Sequence, residues 1–265
     1  MRVIMKAVGR GDDASAFYDK LAPFYHLIYQ DWEASIQRQA SALDSILKER
    51  WGGNVKEILD VACGVGTQSI GLASLGYAVT ASDLSPESIE RAKREAAARK
   101  LHINLSVADM REAYAHHQAQ FDLVIACDNA VPHLLSDTDL LHAFREIRRC
   151  VRPGGGFLFS VRDYEKEERS GVHVKPYGMR TEGSTRYLVF QVWEFTGPIY
   201  DVAMYFVEDK GGSECITHVM RSRYYAVGIE TLKDLLSQAG FTDIQRIEGR
   251  FFQPVIVASA RPEDT

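Results

Sequence analysis

From Glu57 to Val161 the chain alternates five short apolar runs with helical segments, and this alternation restricts the fold more than any other feature. The runs are EILDVA, YAVTAS, INLSV, FDLVIA and FLFSV, each short enough for a strand. Between the first two, TQSIGLASLG reads as a short helix stopped at Gly76. Another helix starts at Ser85-Pro86-Glu87, with serine as cap and proline in the first turn, where its missing N–H costs nothing. A third runs from about Ser136 to Val151. It opens with Ser136 and Asp139 three apart, as a capping box would, and stops at Pro153-Gly154-Gly155. Strand–helix alternation at this spacing predicts a parallel sheet with helices on both faces, the doubly wound α/β class.

Two regions depart from the alternation. Residues 12–50 look helical and crowd Tyr18, Phe24, Tyr25, Tyr29 and Trp32 together, which suggests an N-terminal helical cap over residues 1–50. In the main domain, 51–265, the runs RYLVFQVWEF, IYDVAMYFVE and ITHVMRSRYY are separated by glycine-containing turns. They predict a small antiparallel β insertion forming a lid at about 165–226. GIETLKDLLSQAG then reads as an amphipathic helix, and DIQRIEG with FFQPVIVASA as a closing antiparallel strand pair. Pro254 inside that last run predicts a bulge or a late strand start.

Composition excludes several functions. Hydrophobic content of 46% and charged content of 25% are ordinary for a globular chain, and 265 residues can bury one large core plus a modest subdomain. A net charge of −5 argues against a nucleic-acid surface. The stretch ERAKREAAARK and the arginines at 145, 148, 149 and 152 read as solvated helix faces. Cys63, Cys127, Cys150 and Cys215 form no CxxC pair, which fits reduced thiols rather than disulfides or a zinc site. No window approaches about 18 uninterrupted apolar residues, and MRVIMKAVGRGDD has too short an apolar run for a signal sequence. The expectation is a cytoplasmic protein with no membrane or nucleic-acid partner; a homo-oligomer is left open.

The loop in EILDVACGVGTQSI decides the ligand class. A dinucleotide site wants G-x-G-x-x-G, but Ser69 stands in the third position after Gly64 and Gly66, and the Gly-Lys-Ser/Thr of a phosphate loop is absent. Asp60 closes the first strand, at the sheet edge where open α/β folds bind ligands. A carboxylate there repels pyrophosphate and favours a cationic guest, and S-adenosylmethionine carries both a sulfonium and an ammonium. Asp83 ends the second strand, placed to take ribose hydroxyls. Asp109 follows the third beside Met110, a polar and a soft apolar group suited to an adenine edge and face.

LDVACGVG, VTASDLS, FDLVIACDN and VRPGGGFL resemble the successive motifs of class I S-adenosylmethionine-dependent methyltransferases, over nearly the whole chain from about residue 55. DVACGVG, ACDNAVPHL, VRPGGGFLFSVRDY and RSRYY resemble the glycine and sarcosine N-methyltransferase branch. The resemblance implies a Rossmann-like, seven-stranded, mostly parallel sheet, with S-adenosyl-L-homocysteine as product and a small-molecule methyl acceptor. Beside the loop residues Asp60, Gly64 and Gly66, it implies cofactor contacts at Tyr18, Ala62, Asp83, Leu84, Asp109, Met110, Cys127 and His133. Asn129 and Arg162 fall where that family holds the amino-acid substrate, and Tyr224 or Tyr225 matches a tyrosine near the methyl group. The chain departs from the family at Arg162-Asp163-Tyr164, where Arg-Asn-Tyr is usual. It also has Trp32-Glu33 in place of an arginine that grips the methionine carboxylate, with Arg38 one turn on as a substitute.

Arg162 has its own case. It follows FLFSV at the ligand-bearing edge, where a guanidinium can hold a carboxylate in two parallel bonds; the other reading pairs it with Glu165 or Glu167 at the surface. N-methylation of an amine bearing a carboxylate is the leading expectation. O- or C-methylation of a phenolic, quinone or polyketide-like metabolite stays open, as does a non-catalytic S-adenosylmethionine-binding regulator. A phenol or carbon nucleophile needs a base, for which His133 is the nearest candidate, although a histidine after Pro132 is more often a packing or cofactor contact. His116-His117 reads as solvated, and no metal is expected.

Overall fold

Alternate side chains of the central strands face opposite helical layers, so the runs are apolar almost throughout instead of at every second position. In the computed structural model, which describes residues 13–261, Leu59, Val124, Phe157 and Phe159 join a cluster with Phe144, Ile147, Leu232 and Leu236. Ile58, Leu123, Ile125 and Leu158 join another with Leu43, Leu47, Leu72 and Ile89. The first layer comes from α6 (Asp137–Arg149) and α7 (Ile229–Gln238). The second comes from α2 (Trp32–Trp51), α3 (Thr67–Ser74) and α4 (Pro86–Ala98). Ser85 caps α4, accepting the Ser88 N–H at 3.0 Å, and Ser136 caps α6, accepting the Asp139 N–H at 3.1 Å.

The sheet contains β1 (Glu57–Asp60), β2 (Ala78–Asp83), β3 (Ile103–Val107), β4 (Phe121–Ala126), β5 (Val151–Ser160), β10 (Thr242–Ile247) and β11 (Val255–Ser259). Their order is β10-β11-β5-β4-β1-β2-β3. The pairs from β3 through β5 are parallel, while β11 runs antiparallel to both β5 and β10. Strand order reverses between β1 and β4, so the loops after these two strands part and leave a crevice. β11 starts immediately after Pro254, which therefore donates nothing to the ladder.

Three β runs are expected for the insertion, but the structure has four strands: β6 (Gly171–Glu182), β7 (Thr185–Phe195), β8 (Ile199–Asp209) and β9 (Ile216–Tyr225), paired antiparallel in that order. The uncounted strand, GVHVKPYGMRTE, holds a proline and two glycines. It lies at the sheet edge and shifts register between Pro176 and Gly178, where such residues are tolerated.

The helical cap expected at 1–50 is described only from residue 13, and residues 1–12 lie outside the described chain. Its α1 (Asp13–Leu21) and the turn that follows pack with the insertion in a third cluster. Phe17, Leu21, Tyr25 and Leu27 meet Tyr187, Val189, Met204, Phe206 and Met220 there, together with Val65 of the glycine loop. Arg180 of β6 donates to the carbonyls of Tyr29 and Ile28 at 2.7 and 3.2 Å and so fastens the sheet to the cap.

Close approach of α2 to α3 depends on Gly71, where an added Cβ would lie 2.6 Å from the Ala40 Cβ and 3.0 Å from the Ile36 carbonyl. Gly71→Ala should cost about 1–3 kcal/mol in urea unfolding, the usual cost of overpacking. An unchanged midpoint would mean that the cap helix is not seated on α3.

Candidate active site

The loop after β1 is a tight turn made by backbone. The Gly66 N–H donates to the Cys63 carbonyl at 2.8 Å, and the Cys63 N–H to that of Ser82 at 3.0 Å. Gly64 and Gly66 take φ of +53° and +95°, a region that glycine enters without steric cost. Asp83, at the end of β2, accepts the Gly64 N–H at 2.8 Å on one oxygen and the Ser85 N–H at 2.9 Å on the other. One carboxylate thus ties the loop to the neighbouring strand.

Asp60 does not line the crevice. Its carboxyl is 1% exposed, accepts the Ser69 hydroxyl at 2.7 Å and the Ala62 N–H at 3.3 Å, and braces the loop from below. Burial pushes it up to about 7 against the pull of those two bonds. The acid expected to face the guest is thus a partly protonated strut.

Above the loop lies a cleft of about 1020 Å³. Of the residues expected to hold a cofactor, Tyr18, Ala62, Gly64, Asp83, Leu84, Asp109, Met110, Cys127 and His133 line it; Gly66 and Asp60 do not. Among the described residues its charged lining is Asp83, Asp109, Asp128 and Asp139 with Arg111, and the Arg111 Nε donates to Asp109 at 2.9 Å. Desolvation raises both Asp83 and Asp128 above the usual carboxylate range. The inner end is aromatic. The Tyr18 hydroxyl lies 3.0 Å from His133 Nε2 and 3.5 Å from the Tyr224 hydroxyl, and the His133 and Tyr224 rings pack at 4.1 Å. Burial lowers His133 to about 4, so its imidazole is neutral at neutral pH. Tyr225 instead donates to Asp137 at 2.9 Å; neither tyrosine lines the cleft itself, and Tyr224 stands behind Tyr18 and His133.

A second cavity, of about 1440 Å³, has Tyr29, Arg38, Gln39, Asp128, Arg162 and Tyr177 on its walls. Arg38, considered above as a grip for the donor's carboxylate, lies here and not on the first cleft. Asp128 alone of the charged residues belongs to both. It follows β4 and, with Asn129, adopts φ of +58° and +61°, rare for residues with a side chain. Ser160 pins this turn, its hydroxyl accepting the Asp128 N–H at 2.7 Å and its carbonyl the Asn129 N–H at 3.1 Å. Asn129 is buried. It accepts the Arg162 N–H at 2.9 Å and donates to the Tyr164 hydroxyl at 2.8 Å, so it positions the arginine's backbone.

The Arg162 guanidinium stacks on Trp193 at 4.5 Å and donates to the Tyr200 hydroxyl at 3.4 Å. It pairs with neither Glu165 nor Glu167; Glu167 is engaged by Lys175 at 2.8 Å. Asp163, where the resembled family has asparagine, pairs with Arg246 and Lys166. His117 lies against the sheet, with Nε2 3.2 Å from the Ser82 hydroxyl, and burial lowers it to about 4, so it is not the solvated residue expected. Among the described residues no group of three His, Cys, Asp or Glu is placed to hold a metal, and no helix is long and apolar enough to cross a membrane.

Sequence reading passed over Asp128 and its partners. Its carboxylate accepts the Tyr25 hydroxyl at 3.0 Å and the Tyr29 hydroxyl at 3.3 Å. The signal was present: CDN places an acid after β4, at the reversal of strand order, as DLS and DMR place acids after β2 and β3.

Comparison with known proteins agrees with this geometry. Residues 58–155 match the family model of a methyltransferase domain. A glycine/sarcosine N-methyltransferase of Parasynechococcus marenigrum (strain WH8102) is 30% identical over 145 residues, 55% of this chain and 50% of that protein. A ubiquinone biosynthesis O-methyltransferase of Klebsiella pneumoniae (strain 342) is 32% identical over 116 residues, 43% of this chain and 46% of that protein. The chain spans about half the length of these curated relatives. Among solved structures, the sugar N-methyltransferase KedS8 from Streptoalloteichus sp ATCC 53650 shares the fold, with TM-score 0.74 and 17% identity over 98% of this chain and 99% of that one.

The buried Asp60 gives stability a pH dependence of defined sign. Its folded value of about 7 lies above the unfolded carboxylate value of about 3.9. Below both values the proton is bound in either state. Between them only the folded state keeps it, so stability falls as pH rises, by up to about 1.4 kcal/mol per pH unit. Asp60→Asn removes this slope, so urea unfolding should shift in favour of the variant, relative to wild type, from pH 5 to pH 7. A constant difference would contradict a retained proton.

Proposed function

From the methyltransferase domain at residues 58–155 and the acid-lined cleft over it, we propose that this protein transfers the methyl group of S-adenosylmethionine to a small amine that bears a carboxylate. The observation that carries the reading is the charge of the cleft: among the described residues, four aspartates against one arginine that is itself tied to Asp109. At 4 Å and an effective dielectric near 20, a unit charge pair is worth about 4 kcal/mol. Such a lining therefore repels a pyrophosphate and stabilises a sulfonium with an ammonium.

The cleft has room and partners for this donor. A Cβ at Gly64 would meet nothing within 4 Å, so bare backbone there borders open space. Each Asp83 oxygen accepts one backbone bond and keeps a lone pair for a ribose hydroxyl. Asp109 and Met110 line the same cleft, a polar and a soft apolar group suited to an adenine edge and face. When bound, the donor supplies a methyl group already activated by positive sulfur. The chain's own task is then to align the acceptor and exclude water, which can supply roughly 7–11 kcal/mol in favourable cases. Tyr18, His133 and Tyr224 close the inner end, and a neutral His133 adds no positive charge against the sulfonium.

Arg162 is the acceptor's carboxylate partner in this reading. It lines the second cavity, is permanently charged, and joins no ion pair among the described residues. Nitrogen is preferred to phenolic oxygen because an ammonium complements Asp128, which shares the second cavity with Arg162, whereas a neutral phenol does not. Relatives of both kinds occur, a glycine/sarcosine N-methyltransferase and a ubiquinone biosynthesis O-methyltransferase, so the choice rests on the site.

Incubation with methyl-labelled donor and a panel of amines, amino acids and phenols should label amino acids or other carboxylated amines. Label confined to phenols would overturn the reading. Arg162→Ala should raise the KM of a carboxylated acceptor about 10- to 100-fold, as expected for a lost charged hydrogen bond, with the donor's KM changed far less. Equal effects on both would remove Arg162 from the acceptor site.

A further inference from the structure

The two cavities share one lining residue, Asp128. Tyr25 lines the first cleft, Tyr29 lines the second, and both donate to the same oxygen, Oδ2, of Asp128. Among the described residues Oδ1 accepts no hydrogen bond, and Asp128 is only half-buried. Asp128 joins no ion pair with Arg162, although that guanidinium is near enough to favour the charged carboxylate. The second cavity therefore presents an unpaired anion and an unpaired cation on one wall system, the arrangement that a zwitterion complements.

We infer that Asp128 binds the acceptor's ammonium through Oδ1 and takes its proton, the acceptor reaching it through the second cavity with its carboxylate on Arg162. This rests on the proposed methyl transfer to an amine. An ammonium has no lone pair and cannot attack a methyl carbon. In the step assigned here the acceptor's N–H bond breaks, its electron pair stays on nitrogen, and the proton bonds to Oδ1. The freed pair then forms the new N–C bond as the donor's C–S electrons return to sulfur. The proton leaves Asp128 for solvent through the second cavity.

The surroundings suit that role. The charged and titratable groups around Asp128 are Tyr18 on α1, Tyr25 and Tyr29 in the turn after it, Cys127, Arg162 after β5, and Tyr177 on β6. Burial pushes the Tyr18, Tyr25, Tyr29 and Tyr177 phenols and the Cys127 thiol up, so none of them competes as an anion near neutral pH. Tyr25 and Tyr29 remain donors that hold Oδ2 and leave Oδ1 toward the acceptor. Desolvation raises the Asp128 carboxyl while these bonds and Arg162 oppose it, which makes it a stronger base than a solvated aspartate.

The test compares wild type, Asp128→Asn and Tyr25→Phe/Tyr29→Phe, using as probes glycine, sarcosine and their N-acetyl counterparts, which keep the carboxylate but carry no ammonium. Calorimetry should show amine binding to wild type and at least a tenfold loss in Asp128→Asn, with the N-acetyl compounds bound poorly by both. kcat/KM of wild type should fall on the acid side with one deprotonation. In Asp128→Asn it should drop about 10²-fold or more, the usual scale of a lost base, and climb steadily with pH as solvent deprotonates the amine. The double phenylalanine variant keeps the carboxylate but loses two donors, so its acid limb should move to higher pH. Methylation by wild type with an Asp128→Asn profile of the same shape and amine affinity would overturn the role of Asp128 alone. A wild type that neither binds nor methylates any amine would overturn both this inference and the proposed function.

Discussion

Parallel pairing puts the carboxyl ends of β1 to β4 on one edge of the sheet, and each of those ends carries an aspartate. Concentrating like charge in half-buried space is unfavourable, and the fold meets the cost acid by acid. Asp60 retreats below the loop and is partly protonated near neutral pH. Asp83 takes two backbone N–H groups, Asp109 takes Arg111, and Asp128 takes two tyrosines. The last three still face the cleft, which leaves a net negative space for which a cationic guest is the natural complement.

The roof completes this site by packing on the same loop that shapes its floor. Val65, between the two positive-φ glycines, belongs to the cluster formed by the cap and the insertion, so loop, cap and four-stranded sheet are held in one arrangement. Tyr25 and Tyr29 come down from the cap, and Arg162 and Asn129 come up from the strand ends. The two cavities meet where these elements converge, at Asp128. The two cavities are therefore distinct spaces with one shared charged side chain.

Much of this was legible in the sequence because the strand-and-helix alternation, the caps at Ser85 and Ser136, and the late start after Pro254 are local signals. β6 was not, because its proline and glycines imitate a loop and its pairing with β7 is tertiary. The acids after β2 and β3 were placed at the sheet edge by period alone, but burial sorted them further than spacing can. Asp60 and Asp83 both end parallel strands, yet only Asp83 reaches the cleft, since Ser69 and the Ala62 N–H draw Asp60 inward. Nothing in the local sequence separates Tyr224 from Tyr225; alternation along β9 aims one at His133 and the other at Asp137. The tyrosine pair on Asp128 spans about a hundred residues of chain, a separation that no local pattern encodes.

Calorimetric titration with S-adenosylmethionine and, separately, with NAD tests the central claim most directly, because both carry adenosine and they differ in the sign of the charge beside it. A saturable heat from the sulfonium compound and none from the dinucleotide is the expected result. Saturable uptake of NAD with no response to S-adenosylmethionine would contradict a cleft whose aspartates await a cation.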